Sequence, residues 1–143
     1  MLDAPSHGWS RITIGDWSDR CSYLTDVPFD ILEAMNDALY SKRPCSVRFD
    51  AEGWEYIIVF DIYDTHIISN GIDKDTWEEI SYFLNTTHMD LCNLAKELIT
   101  DIRNDLYAWV DWECWHTLSE EEFEIRKHNL IELCNSIENV LTN

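Results

Sequence analysis

Residues 45–70 constrain the fold more than any other stretch of the chain. Cys45, Val47 and Phe49 alternate with Ser46, Arg48 and Asp50, the two-residue period of a half-buried strand. Asp50-Ala51-Glu52-Gly53 follows, with the glycine placed for a positive φ in a turn. Residues 54–62 read as a second strand. Its residues 56–60 are apolar on both faces, as a central strand would be. Residues 66–69 form a third strand, and Asn70-Gly71 is a strong hairpin signal. The whole stretch predicts an antiparallel meander.

The flanking segments fit helices around that sheet. In residues 9–17, Ile12 and Ile14 alternate with polar residues, which reads as a first strand or extended segment. Asp26-Val27-Pro28 then opens a helix, because proline tolerates the first turn. Ile31, Leu32, Met35, Ala38 and Leu39 supply its apolar stripe, Asp30 and Glu33 sit near its start, and Pro44 closes it. Residues 72–84 are ambiguous. Thr76-Trp77-Glu78-Glu79 could cap a helix, whereas Ile80, Tyr82 and Leu84 alternate as on a strand; a strand over 79–84 is preferred. Thr86 or Thr87 can cap a long helix with a core face from Leu91 through Leu94, Leu98, Ile102 and Leu106 to Trp109 and Val110. Ser119-Glu120-Glu121-Glu122 is a capping box for a last helix, whose face carries Phe123, Leu130, Cys134, Ile137 and Leu141. The expected fold is α+β: an antiparallel β-sheet meander packed with an N-terminal helix and a C-terminal antiparallel helical hairpin. With only four glycines and three prolines, and no repeat or flexible linker, residues 1–143 read as a single domain.

Charge narrows the function classes. Against 10 Lys and Arg stand 28 Asp and Glu, a net −18. Hydrophobic residues make up 45% and aromatics 13%, with seven Trp, so the acid coats a folded core and is not a disordered tail. It is spread along the chain: residues 1–70 hold 12 acids and 5 bases, residues 71–143 hold 16 and 5. Such a surface repels phosphate backbones, so no nucleic acid is expected as a ligand. It attracts a basic partner and speeds the encounter. Residues 1–10 lack the basic and apolar regions of a secretion signal. The apolar run 57–60 is far too short to cross a membrane. Five cysteines, an odd number without C-x-x-C, fit reduced thiols in a cytoplasm better than a disulfide framework.

A search for chemistry assigns no catalytic residue, no cofactor and no metal. The isolated glycines form no GxGxxG or P-loop, and neither HExxH nor GxSxG occurs. Cys114, His116, His128 and Cys134 match no zinc spacing, and Cys134 falls on an apolar helix stripe as a core thiol. His66 and His88 read as polar surface residues. Among 28 carboxylates close pairs are unavoidable, so a pair carries no information about glycoside chemistry.

Binding features are more informative. Glu120, Glu121 and Glu122 are explained as acids in the first turn of a helix. Asp61, Asp64, Asp73, Asp75, Glu78 and Glu79 lie on or beside hairpin turns, where side chains project. Asp101 and Asp105, four apart on a helix, repel each other and need a reason beyond stability. Trp109, Trp112 and Trp115 follow at three-residue steps; closing the core under a helix–helix loop is the preferred reading, and an exposed Trp112 would instead offer an aromatic anchor among acids. These acids and Trp112 are the candidate partner-facing residues.

Three segments of the N-terminal half resemble a known family. They are Gly8-Trp9-Ser10 with Ile12 and Ile14-Gly15, then Ser22-Tyr23-Leu24-Thr25-Asp26-Val27-Pro28, then Val47 and Phe49-Asp50-Ala51-Glu52-Gly53-Trp54-Glu55. The pattern is similar to that of small bacterial immunity proteins encoded beside polymorphic toxins, including contact-dependent growth inhibition systems. The resemblance covers about the first 60 residues. It implies a cytoplasmic protein without enzymatic activity that binds the basic C-terminal domain of a cognate toxin, often a nuclease, and blocks it. It carries no catalytic residues. The alternative is an acidic nucleic-acid mimic that inhibits another DNA- or RNA-binding protein.

Overall fold

A computed structural model of the chain describes residues 1–72, 75–76, 78–112 and 117–142, and of residues 70–72 and 79–83 the backbone alone. The fold is α+β. Strands β1 (Trp9–Ile14) and β2 (Trp17–Ser22) form a hairpin, and helix α1 (Val27–Ser41) follows. Strands β3 (Cys45–Asp50), β4 (Glu55–Phe60), β5 (Thr65–Ile72) and β6 (Glu79–Thr87) then pair in chain order as an antiparallel meander. Helices α2 (Leu91–Asn104), α3 (Leu106–Val110) and α4 (Glu120–Thr142) complete the chain.

Alternation along the strands decides which sheet face is covered. Val47, Phe49, Tyr56, Ile58, Phe60 and Ile67 all point to one face and are buried. Register brings them together, since Val47 pairs with Ile58 and Ile58 with Ile67. Helix α1 lies on the β3–β4 part of this face and also packs against α2 and α4. Contact on two sides explains its broad buried stripe, which runs from Val27 and Pro28 through Ile31, Leu32, Ala34 and Met35 to Ala38 and Leu39. The β1–β2 hairpin covers the same inner face: Trp17 meets Tyr56 edge-on at 5.0 Å, and the Tyr56 hydroxyl donates to the Arg20 carbonyl at 2.9 Å.

Four local expectations change. Residues 9–17 are not one extended segment, because β2 begins at Trp17 after a two-residue turn in which Gly15 takes φ +56. The strand Trp-Ser-Asp-Arg-Cys-Ser has little apolar alternation, which is why it did not read as one. Asn70-Gly71 is not a hairpin turn. Strand β5 runs on to Ile72, with a register shift between Ser69 and Gly71; a glycine inside a strand marks a bulge as readily as a turn. Thr86 and Thr87 belong to β6, and α2 is capped instead by Asp90, whose side chain accepts from the Asn93 N–H at 3.0 Å. The long helix is also interrupted: Asp105, at φ −117 and ψ 32, separates α2 from α3. Asn and Asp are weak helix formers; beyond the break Trp109 and Val110, on the expected core face, are fully buried. The preferred strand over 79–84 is present within β6, and the Ser119 capping box forms as expected, Ser119 and Glu122 each bonding the other's backbone N–H.

Candidate partner-binding surface

The acids of residues 61–79 are adjacent in sequence and apart in space. Asp61 and Asp64 occupy the β4–β5 turn, where the Asp61 N–H donates to the Asp64 carbonyl at 3.0 Å. The Asp64 carboxylate lies 2.7 Å from Nδ1 of His88, beside the exposed Tyr63. Asp75 and Glu78 lie exposed between β5 and β6, at the other end of the sheet. Strand β5 separates the two groups by its eight residues, about 25 Å at the rise of an extended chain. The second group is joined instead by Asp50, Glu52 and Glu55 of the β3–β4 turn, which comes out at the same end. Tyr56 pairs with Ser69, and β5 continues to Ile72 paired only with β6, so this hairpin extends beyond β4. Asp73 lies outside the described residues, as does the side chain of Glu79.

The remaining candidates do other work. Asp101 is half-buried and accepts the Leu2 N–H at 2.8 Å, with the Met1 amino group also at 2.8 Å. That contact ties the N-terminal segment to α2 and accounts for an acid that helix repulsion disfavoured. Asp105 is the joint between α2 and α3 and no longer follows Asp101 along one continuous helix. Trp112 is a correction: it is 4% exposed, packs against Trp109 at 5.3 Å and donates its indole N–H to the Thr25 carbonyl at 3.0 Å. The helix ends at Val110, and beyond it the indole is seated in the core instead of among acids. Trp115 and Glu113 lie outside the described residues.

The residues that carry the family resemblance build the scaffold. Gly8 takes φ +78, and a Cβ there would meet the Tyr23 ring at 2.5 Å. Arg20 lies between Trp9 and Trp54, 5.0 Å from each ring, while Trp54 donates its indole N–H to Asp19 at 2.9 Å. Asp26 accepts two bonds from Arg126, at 2.8 and 2.6 Å. The same guanidinium donates to the carbonyls of Val110 and Trp112 at 2.9 and 2.8 Å and lies over the Phe29 ring. One arginine thus fastens the start of α1 to the segment leading into α4. Asp50 accepts the Glu52 N–H at 2.7 Å, and Gly53 closes that turn at φ +130.

Sequence reasoning passed over the outer face of the four-stranded sheet. Alternation places Arg48, Ile57, Ile68 and Leu84 in one row across it, with Ser46, Val59, His66 and Thr86 in the next. Ile57, Val59 and Ile68 are half-buried, and Leu84 is 66% exposed. Among the described residues, the helix and hairpin that pack on this sheet do so on its inner face. Residues 56–60, apolar on both faces, carry the signal, but the same pattern also fits a central strand covered on both sides.

Two of the four described cysteines are core thiols. Burial pushes the Cys21 thiol up to about 12 and the Cys134 thiol up to about 11, which suppresses the reactive thiolate. Cys134 is a core residue of α4, as its place on the apolar stripe implied. Cys114 and His116 lie outside the described residues. Among the described residues no three His, Cys, Asp or Glu side chains are grouped to hold a metal ion, and no helix is long and apolar enough to cross a membrane. No protein-family model, curated protein or solved structure matches the chain.

Proposed function

We propose that this chain is a bacterial immunity protein that binds a basic toxin domain, of the nuclease type, and neutralises it stoichiometrically in the cytoplasm without catalysing a reaction. The observation that carries the reading is the net charge of −18 on an α+β domain. Ten bases cannot neutralise 28 acids, and folding alone gains nothing from the excess, since net charge far from zero opposes compaction. A cationic partner is the complement that turns this charge to use. The resemblance of about residues 8–60 to immunity proteins supports the same class and says which kind of cationic partner.

The test is co-expression. The C-terminal domain of a toxin encoded next to this chain's gene is induced in bacteria with and without the chain, and growth is scored. Restored growth, with a 1:1 complex by size-exclusion chromatography, is the expected result. Continued killing despite soluble chain overturns the proposal. Recovery of a host DNA- or RNA-binding enzyme in place of the toxin domain would favour the nucleic-acid mimic.

A further inference from the structure

Resting on the function proposed above, we infer that the outer face of the β3–β6 sheet is the surface on which the cationic partner docks, Ile57, Val59, Ile68 and Leu84 forming its apolar centre and the turn acids its rim. An antiparallel sheet with one wet face ordinarily carries polar residues there. Here the middle of that face is aliphatic across β4, β5 and β6, with Ile57 opposite Ile68 and Ile68 opposite Leu84. The inner face already supplies the core, so folding does not require these side chains outside. A contiguous apolar patch rimmed by polar groups is the usual anatomy of a protein interface.

Charge selects the occupant. At one end of the face stand Asp50, Glu52, Asp75 and Glu78, and at the other Asp61 and Asp64. Arg48, the cation within the face, is already held by Glu55 in an ion pair, while Lys42 and Arg43 lie at the β3 corner beyond it. The rim is therefore net negative at the end that carries Asp50, Glu52, Asp75 and Glu78, while at the other end Asp61 and Asp64 stand with Lys42 and Arg43. A second copy of the chain would bring two such rims together, and each chain carries −18. A cationic protein with its own apolar anchors satisfies both the centre and the rim. Size points the same way. A face of four short strands offers roughly 400 Å² in plan from strand spacing and rise, whereas a standard interface uses about 800 Å² per partner. The turns at both ends must then take part, including the extended β5–β6 hairpin.

The centre and the rim make different predictions, which separates them from a nonspecific charge effect. Binding of the co-encoded toxin C-terminal domain is measured by surface plasmon resonance over a salt series for three variants of the full chain. Ile68→Thr with Leu84→Ser leaves the charge unchanged; it should raise koff and weaken binding by about 30-fold, as loss of a central anchor does, with the salt dependence kept. Glu52→Gln, Asp75→Asn and Glu78→Gln together should lower kon and flatten the salt dependence. Glu120→Gln, Glu121→Gln and Glu132→Gln remove the same number of charges from α4, on the helical side of the molecule, and should change kon less. Leu84→Ser alone, at a 66% exposed position, guards against misfolding of the double variant, which is checked by circular dichroism. Wild-type binding with the centre variants unchanged, or with the α4 variant weakened most, overturns this surface and leaves the proposed function standing. A self-association of the chain that Leu84→Ser abolishes would give the face to a second copy and also overturn the inference. A wild-type chain that does not bind the toxin domain overturns the proposed function and this surface with it.

Discussion

The two faces of the four-stranded sheet are built from the same strands and differ in what covers them. On the inner face, where α1 and the β1–β2 hairpin pack, Phe49, Ile58, Phe60 and Ile67 are fully buried. On the outer face Ile57, Val59 and Ile68, one residue away in sequence, stay half-exposed. Along β4 hydropathy is nearly the same on the two sides, Ile57 and Val59 against Ile58 and Phe60; the stabilisation drawn from it is not. Removing a side chain from a packed core loses both its transfer energy and the volume it filled, and at a half-solvated position only part of the first is lost. The comparison separates residues that hold the fold from residues free for another purpose.

The largest expected effect lies on the covered side. Phe60→Ala should destabilise by about 3–5 kcal/mol, read as a lower urea midpoint. A result below about 1 kcal/mol would mean that the two faces do not differ as their burial implies. Next comes the clamp at the start of α1. Arg126→Met retains much of the apolar stem and removes the bonds to Asp26 and to two carbonyls. It should cost about 2 kcal/mol, because bonds to a charged group are lost and their acceptors stay partly buried. Ile68→Thr on the open face should cost about 1 kcal/mol or less, since threonine keeps the β-branched shape that suits a strand.

Two smaller effects depend on pH and sharpen the picture of the helical side. Asp30 sits half-buried in the first turn of α1. Burial, then the nearby Asp26 and Glu33, raise its pKa above the ordinary carboxylate range. A raised folded-state pKa means stability present at low pH that is lost as the pH rises through it. Asp30→Asn should therefore raise Tm at neutral pH, with the gain disappearing in acid. The opposite sign holds at Glu138 of α4, where the hydrogen bond from Arg103 of α2 lowers the pKa. Its contribution is present above the ordinary glutamate range and fades as the pH falls through the folded-state value. Glu138→Gln should flatten the acid limb of a Tm–pH profile slightly, this being an exposed pair.

Much of the architecture was legible because its determinants are local. The period-two run of residues 45–50, the proline start of α1 and the Ser119 capping box all form as read. Strand β2 was not legible, since its six residues are mostly polar and its place depends on pairing with β1. The break at Asp105 was hidden by an apolar stripe that continues on both sides of it. The site was harder still. The acids of residues 61–79 read as turn residues, but their sequence does not say that β5 carries the two clusters to opposite ends of the sheet. Trp112 carried the composition of an anchor, but its burial depends on Thr25 and on the way α3 ends. Which face of a strand lies bare is a tertiary property, visible only once helix and hairpin are placed.

The alternation along β4 and the first four residues of β5 has an evolutionary consequence. Residues that hold the protein together and residues that meet solvent are interleaved one by one, so neighbouring codons come under different selection. In divergent descendants of this chain, positions 47, 49, 56, 58, 60 and 67 should tolerate only apolar exchanges of similar volume. Positions 48, 57, 59, 68 and 84 can drift without loss of fold. A lineage can retarget the outer surface by single substitutions while each intermediate still folds, which lets one scaffold track a changing counterpart.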